Sequence, residues 1–250
     1  MKQLARRFLT AVGFLTRIPV PWEMQVGPEA LGSSAVFFPL VGLLIGTGAV
    51  VLNHICSRRL PHDVVVMIIL GFFVVITAGL HEDALADAAD GFGGGWEKQR
   101  VLEIMRDSCI GSFGALAIAL GLLTRFVFMA NLPAGRFDSY LVAGQVTSRW
   151  TALPLAFFLP AARNPGDGQG SLVAQKVTAL SLVTGTIFTA GVTGVVLGVE
   201  ALWVLATVFV TTAVSGVYYH HRIRGVTGDC LGATNQITEA AVYFAGLLLR

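Results

Sequence analysis

An acidic segment that directly follows a long apolar run contains the residues best suited to chemistry. Its carboxylates belong to Glu82, Asp83, Asp87 and Asp90. In a helix, at about 100° per residue, these side chains fall within an arc of about 140° and share one face. Clustered negative charges at low dielectric require cations or protons to share the site, and hard divalent ions prefer carboxylate oxygens. The spacing therefore predicts a metal site formed by all four residues.

A solvated helix face and an ion pathway are the two alternatives to a metal site in the acidic segment. A solvated face normally mixes acidic and basic side chains, whereas no Lys or Arg lies between Leu80 and Lys98. Carboxylates at membrane depth also mark the ion pathway of a transporter. The sequence favours the metal site over a solvated face and keeps transport as an alternative.

The composition is typical of a membrane protein. Hydrophobic residues make up 54% of the 250 residues and charged residues 13%, against about 25% charged residues in soluble domains. We predict an all-α polytopic membrane protein, a single domain over residues 1–250, with about seven transmembrane helices plus cytoplasmic amphipathic helices. The apolar windows near spanning length are 33–53, 64–80, 113–130, 140–160, 178–199, 201–219 and 233–249.

The positive charges indicate an orientation. With the N-terminus inside, eleven Lys and Arg residues fall on the inner side and four on the outer side, so the positive-inside rule places the N-terminus in the cytoplasm. Residues 4–18 carry three arginines among apolar side chains and predict an interfacial amphipathic helix rather than a span. The acidic segment and the loops 161–177 and 220–232 then face the cytoplasm together.

A short polar segment before the 113–130 window offers groups that suit phosphate. Arg106 and Asp107 are followed at once by Ser108, and then by Gly111 and Gly114. Hydroxyls and open backbone amides at the start of a helix are favourable for anions. The glycine pattern alone is a weak signal, so the prediction depends on the neighbouring Arg106 and Asp107.

Further polar residues lie within or next to the predicted spans, where a buried polar group needs a partner. Arg149 lies too deep in a predicted span to reach the surface, so we expect it to pair with a carboxylate or an anionic substrate. Arg125 is closer to a helix end and is expected to snorkel. Arg163 offers a guanidinium fork that suits pyrophosphate. Thr227 and Asp229 belong to a glycine-containing loop before the last span.

The remaining features restrict the partners. The net charge is +2 and no basic stripe is present, which excludes an ordinary nucleic-acid module. Cys56, Cys109 and Cys230 are too few for a paired framework and are predicted to be free thiols. The lipid bilayer is the expected surrounding, and self-association stays open.

Five segments, taken in order, resemble one family: residues 81–96, 102–114, 147–150, 162–168 and 226–239. They are similar to cobalamin synthase, the adenosylcobinamide-GDP ribazoletransferase family of bacterial vitamin B12 assembly. The first segment, with its glycine triplet, is highly specific, and the resemblance covers nearly the whole chain. Ala84 and Cys109 depart from the glycine and the arginine usual in the family. The change at Cys109 puts substrate affinity in question.

The resemblance implies an enzyme of the bacterial inner membrane. It would use Mg²⁺ to transfer the adenosylcobinamide phosphate group from adenosylcobinamide-GDP to α-ribazole or its 5′-phosphate, with release of GMP. We then expect metal ligands, catalytic residues and substrate contacts among the residues introduced above. The metal ligands would be Glu82, Asp83, Asp87 and Asp90, the catalytic residues Asp90, Arg106 and Asp107, and the substrate contacts Ser108, Arg149, Arg163, Thr227 and Asp229.

Two alternative functions use the same residues. A membrane lipid phosphotransferase or prenyltransferase would also need an acidic helix beside a diphosphate. An ion-coupled transporter would scatter charged residues through several spans at mid-depth. Seven of the fifteen acidic residues instead lie between His81 and Asp107, which favours chemistry at one membrane surface.

Overall fold

The chain folds almost entirely into helices. The computed structural model describes residues 2–21, 31–163 and 177–249. Within those ranges, the only isolated β-bridge joins Ala161 to Val226. The all-α class is therefore confirmed.

Twelve α-helices lie in the described ranges, and 3₁₀ turns at Ala35–Phe37 and Gly198–Glu200 connect some of them. The helices are α1 Lys2–Leu15, α2 Leu31–Ser34, α3 Phe38–Cys56, α4 His62–Thr77, α5 Leu80–Gly94, α6 Lys98–Ile104, α7 Ser112–Ala130, α8 Phe137–Trp150, α9 Ala152–Phe158, α10 Ala179–Leu197, α11 Ala201–Ile223 and α12 Gly228–Leu248.

Fewer helices than expected qualify as membrane spans. Among the described residues, three stretches are long and apolar enough, namely Leu31–Cys56, Ser112–Ala130 and Ala179–Ile223. The pair α4 and α5 also qualifies if it counts as one broken span, which gives four. The structure supports several apolar helices and does not confirm the count of about seven. One reason is that the 140–160 window is broken at Thr151, between α8 and the short α9.

The acidic segment does not continue the preceding apolar helix. Ala78 and Gly79 both adopt left-handed backbone conformations, with φ of 52° and 69°, and the axes of α4 and α5 differ by 84°. Glycine takes this conformation without steric cost, whereas a left-handed alanine costs about 1–2 kcal/mol and needs support from its surroundings. The bend turns α5 across the end of α4, so that α5 packs mainly against α7 and α12.

Small residues allow the helices around α5 and α8 to approach closely. A Cβ atom at Gly42 of α3 would overlap the carbonyl oxygen of Gln145 in α8, and one at Gly232 of α12 would overlap the Cβ of Ala84 in α5. Glycine at such contacts brings helix backbones together. Ala84 therefore lies on the packing side of the acidic helix.

The two amphipathic helices are also present. In α1 one face is buried through Ala11, Val12 and Leu15, while Lys2 and Arg6 are exposed. The second amphipathic helix, α6, covers Lys98–Ile104 and buries Val101 under the end of α5. Each helix thus covers one part of the core with an apolar face.

We predict that Gly42→Val destabilises the protein, because the added side chain must separate α3 from α8. Overpacking a tight contact costs about 1–3 kcal/mol, and each kcal/mol lowers the unfolding temperature of a chain of this size by about 2–4 °C. Thermal unfolding in detergent measures the change. Gly71→Val is the matched control, because a Cβ atom at Gly71 meets nothing within 4 Å. Equal melting temperatures for the two variants would contradict the close contact.

Candidate active site

The carboxylates of α5 divide into two pairs with different surroundings. Asp83 is exposed and Asp87 is half-buried. Glu82 and Asp90 are only 8% and 9% exposed. The outer pair is available to a ligand, whereas the inner pair is engaged with other parts of the protein.

Glu82 belongs to a buried ion cluster centred on Arg125. The Nη2 atom of Arg125 donates to Glu82 Oε1 at 2.9 Å, and its Nη1 atom lies 3.7 Å from Glu239 Oε2. The Arg125 side chain is 2% exposed, so the expectation that it snorkels to the surface is wrong. One guanidinium between two carboxylates instead joins α7 to α5 and α12.

Polar side chains of α8 and α12 extend this cluster. Gln236 Nε2 donates to Glu82 Oε1 at 3.3 Å, and the Tyr243 hydroxyl donates to Glu239 Oε1 at 3.2 Å. Gln145 Nε2 in turn donates to the Tyr243 hydroxyl at 3.5 Å. The buried charges are therefore held by hydrogen bonds as well as by each other, as groups inside an apolar core require.

Asp90 connects the end of α5 to the start of α7. Its Oδ2 accepts from the amide of Gly111 at 2.7 Å, and its Oδ1 accepts from the amide of Gly114 at 2.9 Å. A carboxylate at a helix N-terminus satisfies free amides and interacts favourably with the helix dipole. The backbone amides that we expected to bind a phosphate thus bind the carboxylate of Asp90 instead.

The structure therefore distributes the four carboxylates differently from the expected single metal site. Both oxygens of Asp90 accept amide hydrogen bonds, and Glu82 forms an ion pair with Arg125. In the described ranges, no group of three or more His, Cys, Asp or Glu side chains is arranged to hold a metal ion. Metal binding stays a prediction, and the geometry favours Asp83 and Asp87 for it.

The two loops expected at the site do meet. The amide of Ala162 donates to the carbonyl of Val226, and the amide of Val226 donates to the carbonyl of Pro160, each at 2.9 Å. This pairing places Arg163 Nη2 3.0 Å from Asp229 Oδ2. The Thr227 hydroxyl also donates to Asp229 Oδ2, at 3.3 Å. The rest of the 161–177 loop beyond Arg163, residues 164–176, lies outside the described residues.

The paired loops lie beside the outer carboxylates of α5. Asp83 and Asp229 line one cavity, and the charges of Asp229, Asp83 and Arg163 are close enough to interact with the carboxylate of Asp87. Burial raises the pKa of Asp229 above its ordinary value, while Arg163 and Thr227 oppose that rise. We call the surface formed by Asp83, Asp87, Asp229 and Arg163 the acidic cleft. Three carboxylates and one guanidinium leave a net negative charge that favours a bound cation.

Arg149 lies deeper, as the sequence predicted, but its direct partner is an amide. Its Nη1 atom donates to the side-chain oxygen of Gln145 at 2.6 Å and to the Gln145 carbonyl at 3.2 Å. The side chain lines a cavity of about 170 Å³ that Asp83 and Asp229 also line. Arg149 therefore reaches the inner side of the acidic cleft.

The other predicted phosphate contacts lie on an exposed loop after α6. Arg106 lines an open groove of about 510 Å³ together with Lys98 and Arg163. The Asp107 Oδ1 atom accepts from the amide of Cys109 at 3.0 Å, and Asp107, Ser108 and Cys109 are all exposed. The groove joins Arg106 to Arg163, whereas the structure shows no contact between Ser108 and the acidic cleft in the described residues.

Three side chains that hold the site were not singled out for this role. Gln145, Gln236 and Tyr243 complete the buried cluster, although their types alone do not signal it. Arg125 and Glu239 did carry a signal, because opposite charges at membrane depth must find partners.

The three cysteines are free thiols, as predicted. Cys109 is exposed and Cys230 is buried.

Comparison with known proteins shows the family of the chain. The family model described as cobalamin-5-phosphate synthase matches residues 7–247. The chain belongs to this family. Three similar proteins are each named adenosylcobinamide-GDP ribazoletransferase. They come from Shewanella amazonensis (38% identical, 97% of this chain and 95% of the relative), Polaromonas sp. (36%, 97% and 96%) and Vibrio parahaemolyticus (34%, 94% and 89%). No solved structure matches the chain.

We predict that Arg125→Met strongly destabilises this cobalamin-5-phosphate synthase family member. The variant would leave Glu82 and Glu239 buried without their counter-charge, and breaking a buried pair costs about 3–5 kcal/mol. Thermal unfolding and the yield of folded protein measure the loss. Arg100→Met removes an exposed ion pair to Glu103 of 3.4 Å and should change little. Similar losses of stability in both variants would show that the buried ion cluster stabilises the protein no more than an exposed ion pair does.

Proposed function

We propose that this chain catalyses the final joining step of cobalamin biosynthesis. It would transfer the adenosylcobinamide phosphate group from adenosylcobinamide-GDP to α-ribazole or α-ribazole 5′-phosphate and release GMP. The family match over nearly the whole chain and the names of its relatives support this activity. The observation that carries the mechanism is the acidic cleft, where carboxylates of α5 meet Arg163 and Asp229.

The reaction replaces one phosphorus–oxygen bond by another. A ribazole hydroxyl attacks the cobinamide-side phosphorus of the diphosphate, the bond to the GMP oxygen breaks, and the hydroxyl proton passes to a base. Such transfers depend on alignment of the two oxygens and on neutralisation of charge at the leaving phosphate. Asp87 is our choice for the proton acceptor, because it is half-buried among other carboxylates, whereas both oxygens of Asp90 hold α7.

Arginines on two sides of the acidic cleft suit the diphosphate. Arg106, Arg163 and Lys98 line the open groove, and Arg149 approaches from the buried side. Guanidinium groups bind phosphate oxygens through paired, charge-assisted hydrogen bonds. The groove would receive the GDP end of the donor, with its reacting phosphorus directed toward Asp83 and Asp87.

We also propose that Mg²⁺ is the cofactor. Mg²⁺ keeps several waters and is commonly held by one or two carboxylates together with substrate phosphates, rather than by a full set of protein ligands. The exposed carboxylate of Asp83 and the half-buried carboxylate of Asp87, with Asp229 nearby, fit that kind of binding. When bound, the ion would neutralise charge that develops on the leaving phosphate.

The location follows from the charge bias and the apolar helices. We propose a multi-pass protein of the bacterial inner membrane with the acidic cleft facing the cytoplasm. The stretch Ala179–Ile223 is too long for a single crossing and contains a break at Gly198, where φ is 60°. Residues of α10 and α11 line one common groove, which supports two crossings there.

The decisive experiment is the reaction itself. Purified protein in detergent is incubated with adenosylcobinamide-GDP and α-ribazole, and both GMP and the joined corrinoid are measured. We expect equal amounts of the two products, loss of both after chelation of divalent metal, and recovery on addition of Mg²⁺. Absence of GMP under every divalent metal would overturn the proposal and favour a lipid phosphotransferase or a transporter.

We predict that Asp83→Asn and Asp87→Asn each lower turnover by at least about 10²-fold, because each removes one charge from the acidic cleft while keeping its shape. Expression and melting temperature should stay near those of the wild type, since both side chains lie outside the buried cluster. Steady-state GMP release measures turnover. Asp63→Asn, an exposed acid in the first turn of α4, is the matched control. Wild-type turnover in either cleft variant would remove that residue from the site.

A further inference from the structure

Three residues of the site described so far, Asp83, Arg149 and Asp229, also line a small cavity next to the acidic cleft, and the cavity itself has not yet been assigned a ligand. Its volume is about 170 Å³, and it lies between α1, α3, α5, α8 and α12. Pockets for whole drug-sized ligands measure about 300–1,000 Å³. The cavity therefore suits one ring system of a larger substrate whose remaining part extends outside.

The cavity has an aromatic wall. Phe14 of α1 and Phe38 of α3 line it. Their ring centroids lie 5.8 Å apart with an angle of 22° between the planes. Aromatic pairs of this kind offer favourable edges and faces to another flat ring. Leu80 and Leu231 add aliphatic surface, so the wall favours an apolar or aromatic group.

Part of the cavity lining is polar and incompletely paired. Asn235 and Arg149 line the cavity and are each 3% exposed. Among the described residues, Asn235 Oδ1 and Arg149 Nε have no hydrogen-bond partner. Buried polar atoms rarely stay unsatisfied in a native protein. Their position indicates that a ligand or water completes the hydrogen bonds. A heteroaromatic ring nitrogen can accept from Arg149 Nε, and a water or a hydroxyl can donate to Asn235 Oδ1.

The cavity lining carries negative charge where it reaches the surface, at the exposed Asp83. Asp83 and Asp229 line the cavity as well as the acidic cleft. Carboxylates at the entrance repel a phosphate but accept hydrogen bonds from hydroxyls. The cavity is thus shaped for an uncharged ring that is attached to a hydroxyl-bearing group at the entrance.

We propose that this cavity binds the aromatic base of the nucleoside acceptor, with its ribose at Asp83 and Asp229. The inference rests on the proposed function, since ribazole is the acceptor there. A base held between Phe14, Phe38 and Asn235 places the ribose hydroxyls at the acidic cleft. The buried cavity then selects the acceptor, while the open groove at Arg106 and Arg163 binds the diphosphate donor.

The test compares two phenylalanines on the same helix. Phe14→Leu should raise the KM for α-ribazole at least about fivefold, since loss of one aromatic contact has roughly that effect, and leave the KM for adenosylcobinamide-GDP unchanged. Phe8→Leu is the control, because Phe8 pairs with Phe37 at the same 5.8 Å but does not line the cavity. Equilibrium dialysis of α-ribazole alone should show the same difference in affinity.

A second variant guards against a general effect of altered packing. Ala152 lines the cavity, and Ala152→Leu fills it without removing an aromatic ring. We expect the same selective rise in the KM for α-ribazole. An unchanged KM in folded Phe14→Leu and Ala152→Leu proteins, with active wild-type enzyme, would overturn the base-binding cavity alone. An inactive wild type that also fails to bind α-ribazole would instead overturn the proposed function.

Discussion

One buried guanidinium between two buried carboxylates holds the parts of the candidate site together. Arg125 of α7 contacts Glu82 of α5 and Glu239 of α12, and α5 packs mainly against these two helices. Charges inside an apolar core are tolerated only when they are paired, so the three helices must keep their mutual positions. The position of α5 in turn fixes where Asp83 and Asp87 lie.

The acidic helix therefore has a structural side and a chemical side. Glu82 and Asp90 attach it to the neighbouring helices, through Arg125 and through the amides that begin α7. Asp83 and Asp87 remain available beside Arg163 and Asp229. Anchors on either side of the available carboxylates along one short helix limit its motion, and such preorganisation favours alignment of reacting groups.

The sequence predicted the composition of the site better than its internal contacts. A helical acidic segment, the depth of Arg149 and the meeting of the Arg163 and Asp229 loops were expected from pattern and charge. The left-handed turn at Ala78 and Gly79 was not, because glycine next to alanine does not signal a sharp bend in an apolar run. The anchoring of Glu82 and Asp90 depends on residues more than twenty positions away, and helical periodicity carries no information about such partners. The span count depended on the same limitation, since hydropathy windows do not reveal breaks within helices.

The central claim is that separate segments form one acidic cleft, and intramolecular cross-linking tests it most directly. Asp87→Cys and Asp229→Cys are combined in a chain whose Cys56, Cys109 and Cys230 are replaced by alanine, and the protein is treated with a short bismaleimide. We expect efficient cross-linking within one chain. The control pair, Asp63→Cys with Asp229→Cys, should not cross-link, because α4 spans 16 residues, or about 24 Å, between Asp63 and the acidic helix. Reactive but unlinked cysteines at positions 87 and 229 would contradict the composite site.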